Sequence, residues 1–302
     1  MNQKSLIGNL MLALAALIWG CAFVAQSVGM DYVRPLTFNG IRSLLAGIVL
    51  LPVIFLFEKA QKKNGTYKKP TEEDRKLLFQ AGLSCGFILF LASTVQQYGI
   101  AQTTVGKAGF IAVLYVLIVP FIGLLMKRHL PKRIWFCCFL ALCGLYLLCM
   151  KDEIFSPNQG DIIVFISSIL YAFHILTVDH FASRVNGVKL SCIQFLVTGI
   201  LSIPCMFLFD KPSAAAILSA WLPIFYAGAL SGGIGFTLQI VAQKWTEPSV
   251  ASLLMSLESV FAVLAGALFL RQIPTFQEIG GCVLMFLAIL LIQLPEKEKS
   301  ES

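Results

Sequence analysis

Charge is what this chain is short of. Asp, Glu, Lys and Arg together make up 13% of its 302 residues, against about 25% in an ordinary globular domain. A chain so sparing of polar groups does not read as a soluble globular enzyme or binding module. Histidine is also scarce, at three residues. His-Glu-x-x-His, Gly-x-Ser-x-Gly and paired carboxylates at helical spacing are all missing, so catalysis finds no framework. His174 and Asp179 lie five apart, about 140° around a helix, which suits no catalytic dyad. Gly106-Lys107 is followed by Ala and lacks the upstream Gly of a phosphate-binding loop, so no ATP engine is expected. None of the nine cysteines forms a Cys-x-x-Cys pair, and Cys137-Cys138 has no partner cluster at metal spacing. The cysteines read as small hydrophobic fillers, and neither metal nor cofactor is expected.

What is there is hydrophobic, at 58% of the residues. Ten apolar runs occur, at 6–28, 35–57, 77–98, 104–126, 134–150, 161–180, 190–209, 221–242, 249–270 and 275–294. Each can cross a hydrocarbon core of about 30 Å. The runs are continuous rather than alternating, which favours helices over a barrel. The first continues past Cys21 with the bulky Trp19 in the way of a lipoprotein cleavage site, so it reads as a membrane helix rather than a signal peptide. The net charge of +7 follows from placement and signals no nucleic-acid partner. With both termini cytoplasmic, seventeen Lys and Arg fall in inner segments, seven of them between residues 58 and 76. Only Arg34, Lys151, Lys211 and Arg271 fall outside, so the positive-inside rule sets this orientation.

The chain also repeats itself. Residues 94–131 lie on 237–274 at a constant offset of 143, so that Thr94 meets Thr237 and Gln96 meets Gln239. At an offset of 152, Trp19 meets Tyr171 and Pro52 meets Pro204, the difference being absorbed by the longer basic loop of the first half. The halves are 1–150 and 151–302, each with five runs. An odd number of crossings inverts the second half, so the fold class is an all-α polytopic membrane protein of ten helices in two inverted five-helix repeats. That is a usual build for a secondary transporter working by alternating access.

A few groups need a reason to be in a membrane. Glu258 lies mid-way along the ninth run, where an acid costs roughly 2.5–3.5 kcal/mol on insertion scales. It either titrates a proton or binds a substrate amine, or it is a structural carboxyl bonded between helices. Lys107, near the outer end of the fourth run, either snorkels to the interface or meets a substrate carboxylate. Arg42 looks deeper and reads as a cap on neighbouring carbonyls. His174 is central on the sixth run, as a structural hydrogen-bonding group or a proton relay. Gln96, Gln194 and Gln239 add amides for a polar ligand or for neighbouring helices. Gly82-x3-Gly86 and Gly228-x3-Gly232 read as close helix crossings, the second also as a hinge.

Leu17-Ile18-Trp19-Gly20, the stretch from Ser252 through Glu258 to Gly266, and Thr103-Thr104-Val105-Gly106-Lys107-Ala108-Gly109-Phe110 resemble motifs of the drug/metabolite transporter superfamily, in particular its EamA-type exporters. The likeness covers residues 6–294. It implies a ten-helix carrier of small metabolites, often amino acids, with a central cavity that includes Trp19, Gln96, Lys107, Tyr115, His174, Gln239 and Glu258. One departure is Ser259, where that family usually has Pro. The expectation is thus a carrier of the cytoplasmic membrane that exports an amino acid or similar zwitterion, with a coupling proton as a further partner. Lys107 would take the carboxylate and Glu258 the ammonium or the proton, with Arg42 and Gln194 in structural or coupling roles. A carrier of neutral or aromatic lipophilic compounds is the alternative, a non-transporting receptor a more distant one. The sequence specifies no oligomeric state.

Overall fold

The computed structural model describes residues 3–103, 105–127, 130, 132–149, 158–270 and 275–293. The first half holds α1 (Gln3–Gly29), α2 (Pro35–Lys63), α3 (Glu72–Ile100), α4 (Val105–Ala112), α5 (Tyr115–Leu125) and α6 (Lys132–Cys149). The second holds α7 (Gln159–Ala182), α8 (Gly187–Cys205), α9 (Ala214–Ser219), α10 (Trp221–Phe225), α11 (Phe236–Ala242), α12 (Pro248–Met255), α13 (Glu258–Leu270) and α14 (Phe276–Gln293). Two π-helical segments, Met206–Asp210 and Tyr226–Gly235, continue α8 and join α10 to α11. Among the described residues, seven helical stretches are long and apolar enough to cross a membrane. The chain is therefore a multi-pass membrane protein.

Local chemistry sets the helix starts. Thr71 and Asp74 close a capping box at α3, Asn158 and Asp161 close another at α7, and Glu247 with Pro248 begins α12. The basic loop is shorter than its apolar boundaries suggest, because α2 runs on to Lys63 and α3 starts at Glu72. Burial is inside-out relative to a soluble protein. Asn39, Gln97, Ser167, His174, Ser191, Gln194 and Thr198 are all fully buried, whereas Phe55, Leu125, Leu208 and Leu268 face outward. That is the arrangement lipid imposes: apolar groups outward, and polar groups inward where partners exist.

Three sets of hydrogen bonds between helices fall at matching positions of the two halves. Asn39 Nδ2 donates to Thr94 Oγ1 at 3.1 Å, and at the corresponding positions Thr237 Oγ1 bonds Ser191 Oγ at 2.8 Å. The Asp210 carboxylate accepts from the amide and hydroxyl of Thr37, and its counterpart Glu58 accepts from Lys189, the counterpart of Thr37. These contacts clamp α2 to α8 at both ends. Thr103 bonds Asp161, and the corresponding Thr246 bonds Asn9 at 3.5 Å.

Both small-residue pairs are close crossings. A Cβ on Gly86 would lie 2.8 Å from the Gln194 carbonyl oxygen and 2.7 Å from Val197 Cβ on α8. A Cβ on Gly232 would lie 2.7 Å from Ala46 Cβ on α2. Without a hydrophobic drive between helices in lipid, such approach is what supplies packing energy. Gly86→Leu is expected to cost about 1–3 kcal/mol by overpacking and to lower the melting temperature in detergent by several degrees. Gly280→Leu, where an added Cβ meets nothing within 4 Å, serves as the control and leaves it unchanged.

Candidate functional site

A cavity of about 50 Å³ opens where α1, α2, α3, α7 and the α10–α11 rod meet the tips of α5, α12 and α13. Trp19, Gln96, Tyr115, His174, Gln239 and Glu258 all line it, so six positions expected from the sequence converge on one space. Arg42 lines it as well. Gln194 stands behind, its Oε1 3.1 Å from His174 Nε2. Lys107 belongs to α4, but its side chain lies outside the described residues.

One wall is aromatic. Phe236 is its hub, with ring centroids 4.8 Å from Trp19, 5.9 Å from His174 and 5.2 Å from Phe195. The edge-to-face and tilted pairs hold these rings in fixed orientations. Trp19 Nε1 donates to the Ser231 carbonyl at 3.3 Å, which leaves the indole face toward the cavity. The sequence reading missed Phe236, Ser231 and Gln26. The dense glycine cluster at 228–235 was the signal near the first two: its close crossing presses this wall against α1 and α2.

The opposite wall is built by two interrupted helices. The fourth and ninth apolar runs were expected to be continuous. Instead α4 gives way to α5 at Val113-Leu114, and α12 to α13 at Ser256-Leu257. Tight turns replace the α-helical ladder there: Val116 N–H bonds the Val113 carbonyl at 2.9 Å, and Ser259 N–H bonds that of Ser256 at 3.2 Å. The breaks are one 143-residue offset apart, and so are the first residues beyond them, Tyr115 and Glu258. These two residues bond each other, the Tyr115 hydroxyl donating to Glu258 Oε1 at 3.1 Å. Glu258 is 6% exposed and begins α13, where the helix dipole favours negative charge. Ser259, in place of a proline, donates to the Gly109 carbonyl at 3.2 Å and so ties α13 to α4. Gly20 makes the approach of α1 possible, since a Cβ there would lie 2.7 Å from the Glu258 carbonyl oxygen. The Trp19-Gly20 pair thus has two jobs, an aromatic wall and a seat for α13.

Arg42 does not cap carbonyls. Its Nε donates to Asn39 Oδ1 at 3.1 Å, and the Asn39 amide nitrogen donates to Ser93 Oγ at 3.0 Å. On α7, the Tyr171 hydroxyl donates to Gln96 Oε1 at 3.2 Å. Three buried atoms of cavity-lining residues, Gln26 Oε1, His174 Nδ1 and Gln239 Oε1, have no protein partner. Buried polar atoms are nearly always satisfied, so a cluster of exceptions at one cavity marks a place for polar ligands or water. Among the described residues no His/Cys/Asp/Glu group could hold a metal ion.

A polar, aromatic-walled cavity inside a membrane bundle defines the protein as a membrane transporter of the polytopic helical class. The EamA-like transporter family matches the chain over residues 6–150 and 158–294. The chain belongs to that family. It is 30% identical over 295 residues to an uncharacterized transporter of Archaeoglobus fulgidus, covering 96% of this chain and 87% of the relative. It is 26% identical over 258 residues to the uncharacterized inner membrane transporter YedA of Escherichia coli K12, covering 83% and 78%. One solved crystal structure superposes with a TM-score of 0.75 at 19% identity over 95% of this chain and 96% of the other, which shows a shared fold.

The Tyr115–Glu258 bond is a measurable coupling. In a double-mutant cycle of Tyr115→Phe and Glu258→Gln, read by thermal unfolding in detergent, the two losses are expected to be non-additive by about 0.6–1.7 kcal/mol, the range for polar pairs between membrane helices. Additive losses would show that the two interrupted helices are energetically independent.

Proposed function

We propose that the protein is a secondary carrier of the cytoplasmic membrane that moves amino acids or similar zwitterions outward by alternating access. The observation that carries this reading is one cavity lined by a single buried acid, Glu258, and a buried base, Arg42, at the meeting point of two interrupted helices. Interrupted helices at corresponding positions of two halves are where transporters of many folds place their substrate.

In this reading the chain crosses the membrane ten times, as two inverted five-helix repeats at 1–150 and 151–302, with both termini cytoplasmic. The matched hydrogen bonds support the inversion. The clamp at one end of the α2–α8 pair, Thr37 with Asp210, has its counterpart at the other end, Lys189 with Glu58. Repeats related in this way can exchange conformations, which moves access from one face to the other. The turns at Val113-Leu114 and Ser256-Leu257 are the natural flexing points, because tight turns within helices commonly mark hinges. Glu258 takes the substrate ammonium or a coupling proton, in exchange for the Tyr115 hydroxyl. Lys107, on the outer part of the same helix system, is a second cationic contact along the path.

The aromatic wall of Trp19, Phe236 and Tyr171 favours a second reading, a carrier of neutral or aromatic lipophilic compounds. The two readings separate by mutation. In proteoliposomes loaded with a mixed amino-acid and metabolite pool, efflux followed by mass spectrometry is expected to show selective loss of zwitterions, reduced at least tenfold by Glu258→Gln. Efflux that tolerates Glu258→Gln but fails with Trp19→Ala would give the lipophilic reading instead. Absence of flux from folded protein in both orientations would contradict both.

A further inference from the structure

The acid and the base of the cavity do not pair with each other. Glu258 bonds Tyr115, Arg42 bonds Asn39, and among the described residues no ion pair joins them. Ionisable groups are costly to bury in a membrane, and a protein that keeps an acid and a base in one cavity, each on neutral partners, leaves both available to a third body. A molecule with a negative and a positive end, lying between them, satisfies both at once.

We propose that Arg42 is the carboxylate anchor of this cavity, a role the sequence had offered to Lys107. The inference rests on the zwitterion reading above and names the group that recognises the anionic end. Four observations carry it. The guanidinium has five donors in a planar fork, and the hydrogen bond to Asn39 uses only Nε, the one at the root of the fork. The Tyr171 hydroxyl also lies within reach of the guanidinium, and the N–H groups that remain can present the bidentate geometry that a carboxylate accepts. The bond to Asn39, itself tied to Ser93 and Thr94 on α3, fixes where the fork points. Finally, α2 is clamped to α8 at both ends by Thr37–Asp210 and Glu58–Lys189, so Arg42 stands on the fixed frame rather than on an interrupted helix. The anion would then be held by the frame and the ammonium by Glu258 on the moving wall.

The pattern of the repeat sharpens the assignment. At the 152-residue offset Arg42 corresponds to Gln194, whose side chain is engaged by His174. The second half therefore fills the corresponding place with a neutral amide and its own buried partner. Only the first half puts a permanent cation there. The same correspondence supplies a conservative substitution, because the fold already accepts Gln at the related position, fully buried.

The test uses the full-length protein purified in detergent, with ligand-induced rise in melting temperature titrated over a panel of free amino acids. For each amino acid that binds, its primary amide and its decarboxylated amine are titrated in parallel. Wild type is expected to bind the acid more tightly than either analogue by on the order of 10- to 100-fold, the value of a hydrogen bond to a charged group. Arg42→Gln is expected to bring the ratio of acid to amide affinity to near one. Arg42→Lys, which keeps the charge but not the fork, is expected to fall between. If Arg42→Gln retains the full preference for the acid, the anchor is elsewhere and the zwitterion reading stands without it. If wild type binds acid and amide equally, the assignment fails without recourse to any variant. If no amino acid binds wild type at all, the underlying reading of the cavity fails as well.

Discussion

Hydrocarbon cannot accept or donate a hydrogen bond, and that constraint orders this molecule. Each polar side chain drawn into the bundle must find a partner on another helix or open onto a cavity. The partners found here are mostly short side chains, Asn39 with Thr94, Ser191 with Thr237, Thr103 with Asp161, which bond only when helices lie close. Glycines at the crossings permit that closeness. Pinning and packing are therefore one device: the small residue lets the backbones approach, and the approach brings the polar pair within reach.

The cavity is where this accounting is left incomplete. Gln26, His174 and Gln239 each present an unpartnered atom in residues that line it, and Arg42 and Glu258 bring a base and an acid that do not pair with each other. The surrounding frame is over-determined, with α2 clamped to α8 at both ends and α3 bonded to α7. The two interrupted helices are less so, joined across the centre by the Tyr115–Glu258 bond and by Ser259 on the Gly109 carbonyl. Function in a carrier needs both properties, a rigid reference and a wall with two positions. A bond between the first residues beyond the two breaks lets a change at one reach the other directly.

Much of this was legible in the sequence. The membrane character, and five of the six expected positions that line the cavity, could be read because a polar or aromatic-amphipathic residue stands out within an apolar run. Tyr115 came only from family likeness, although the 143-residue offset pairs it with Glu258. The helix breaks were not legible. Val113-Leu114 and Ser256-Leu257 contain neither Gly nor Pro, and serine is at home inside membrane helices, so no local signal distinguishes a turn from a continuing helix. The role of Arg42 was hidden for a different reason. Its contact with Asn39 is local, but which way the fork points depends on Ser93 and Thr94, more than fifty residues on. Phe236 escaped because an aromatic residue in a membrane span needs no explanation until its neighbours are known.

The central claim, a site that opens to one face at a time, is tested most directly by solute counterflow. Proteoliposomes are loaded with a high concentration of an unlabelled amino acid that binds the purified protein, then diluted into a trace of the same compound labelled. A carrier with alternating access returns inward with label as often as it leaves with unlabelled substrate. Labelled compound is then expected to accumulate transiently above its external concentration before decaying to equilibrium. Entry that rises monotonically to equilibrium with no overshoot would indicate a pore open to both faces at once and would contradict the alternating site.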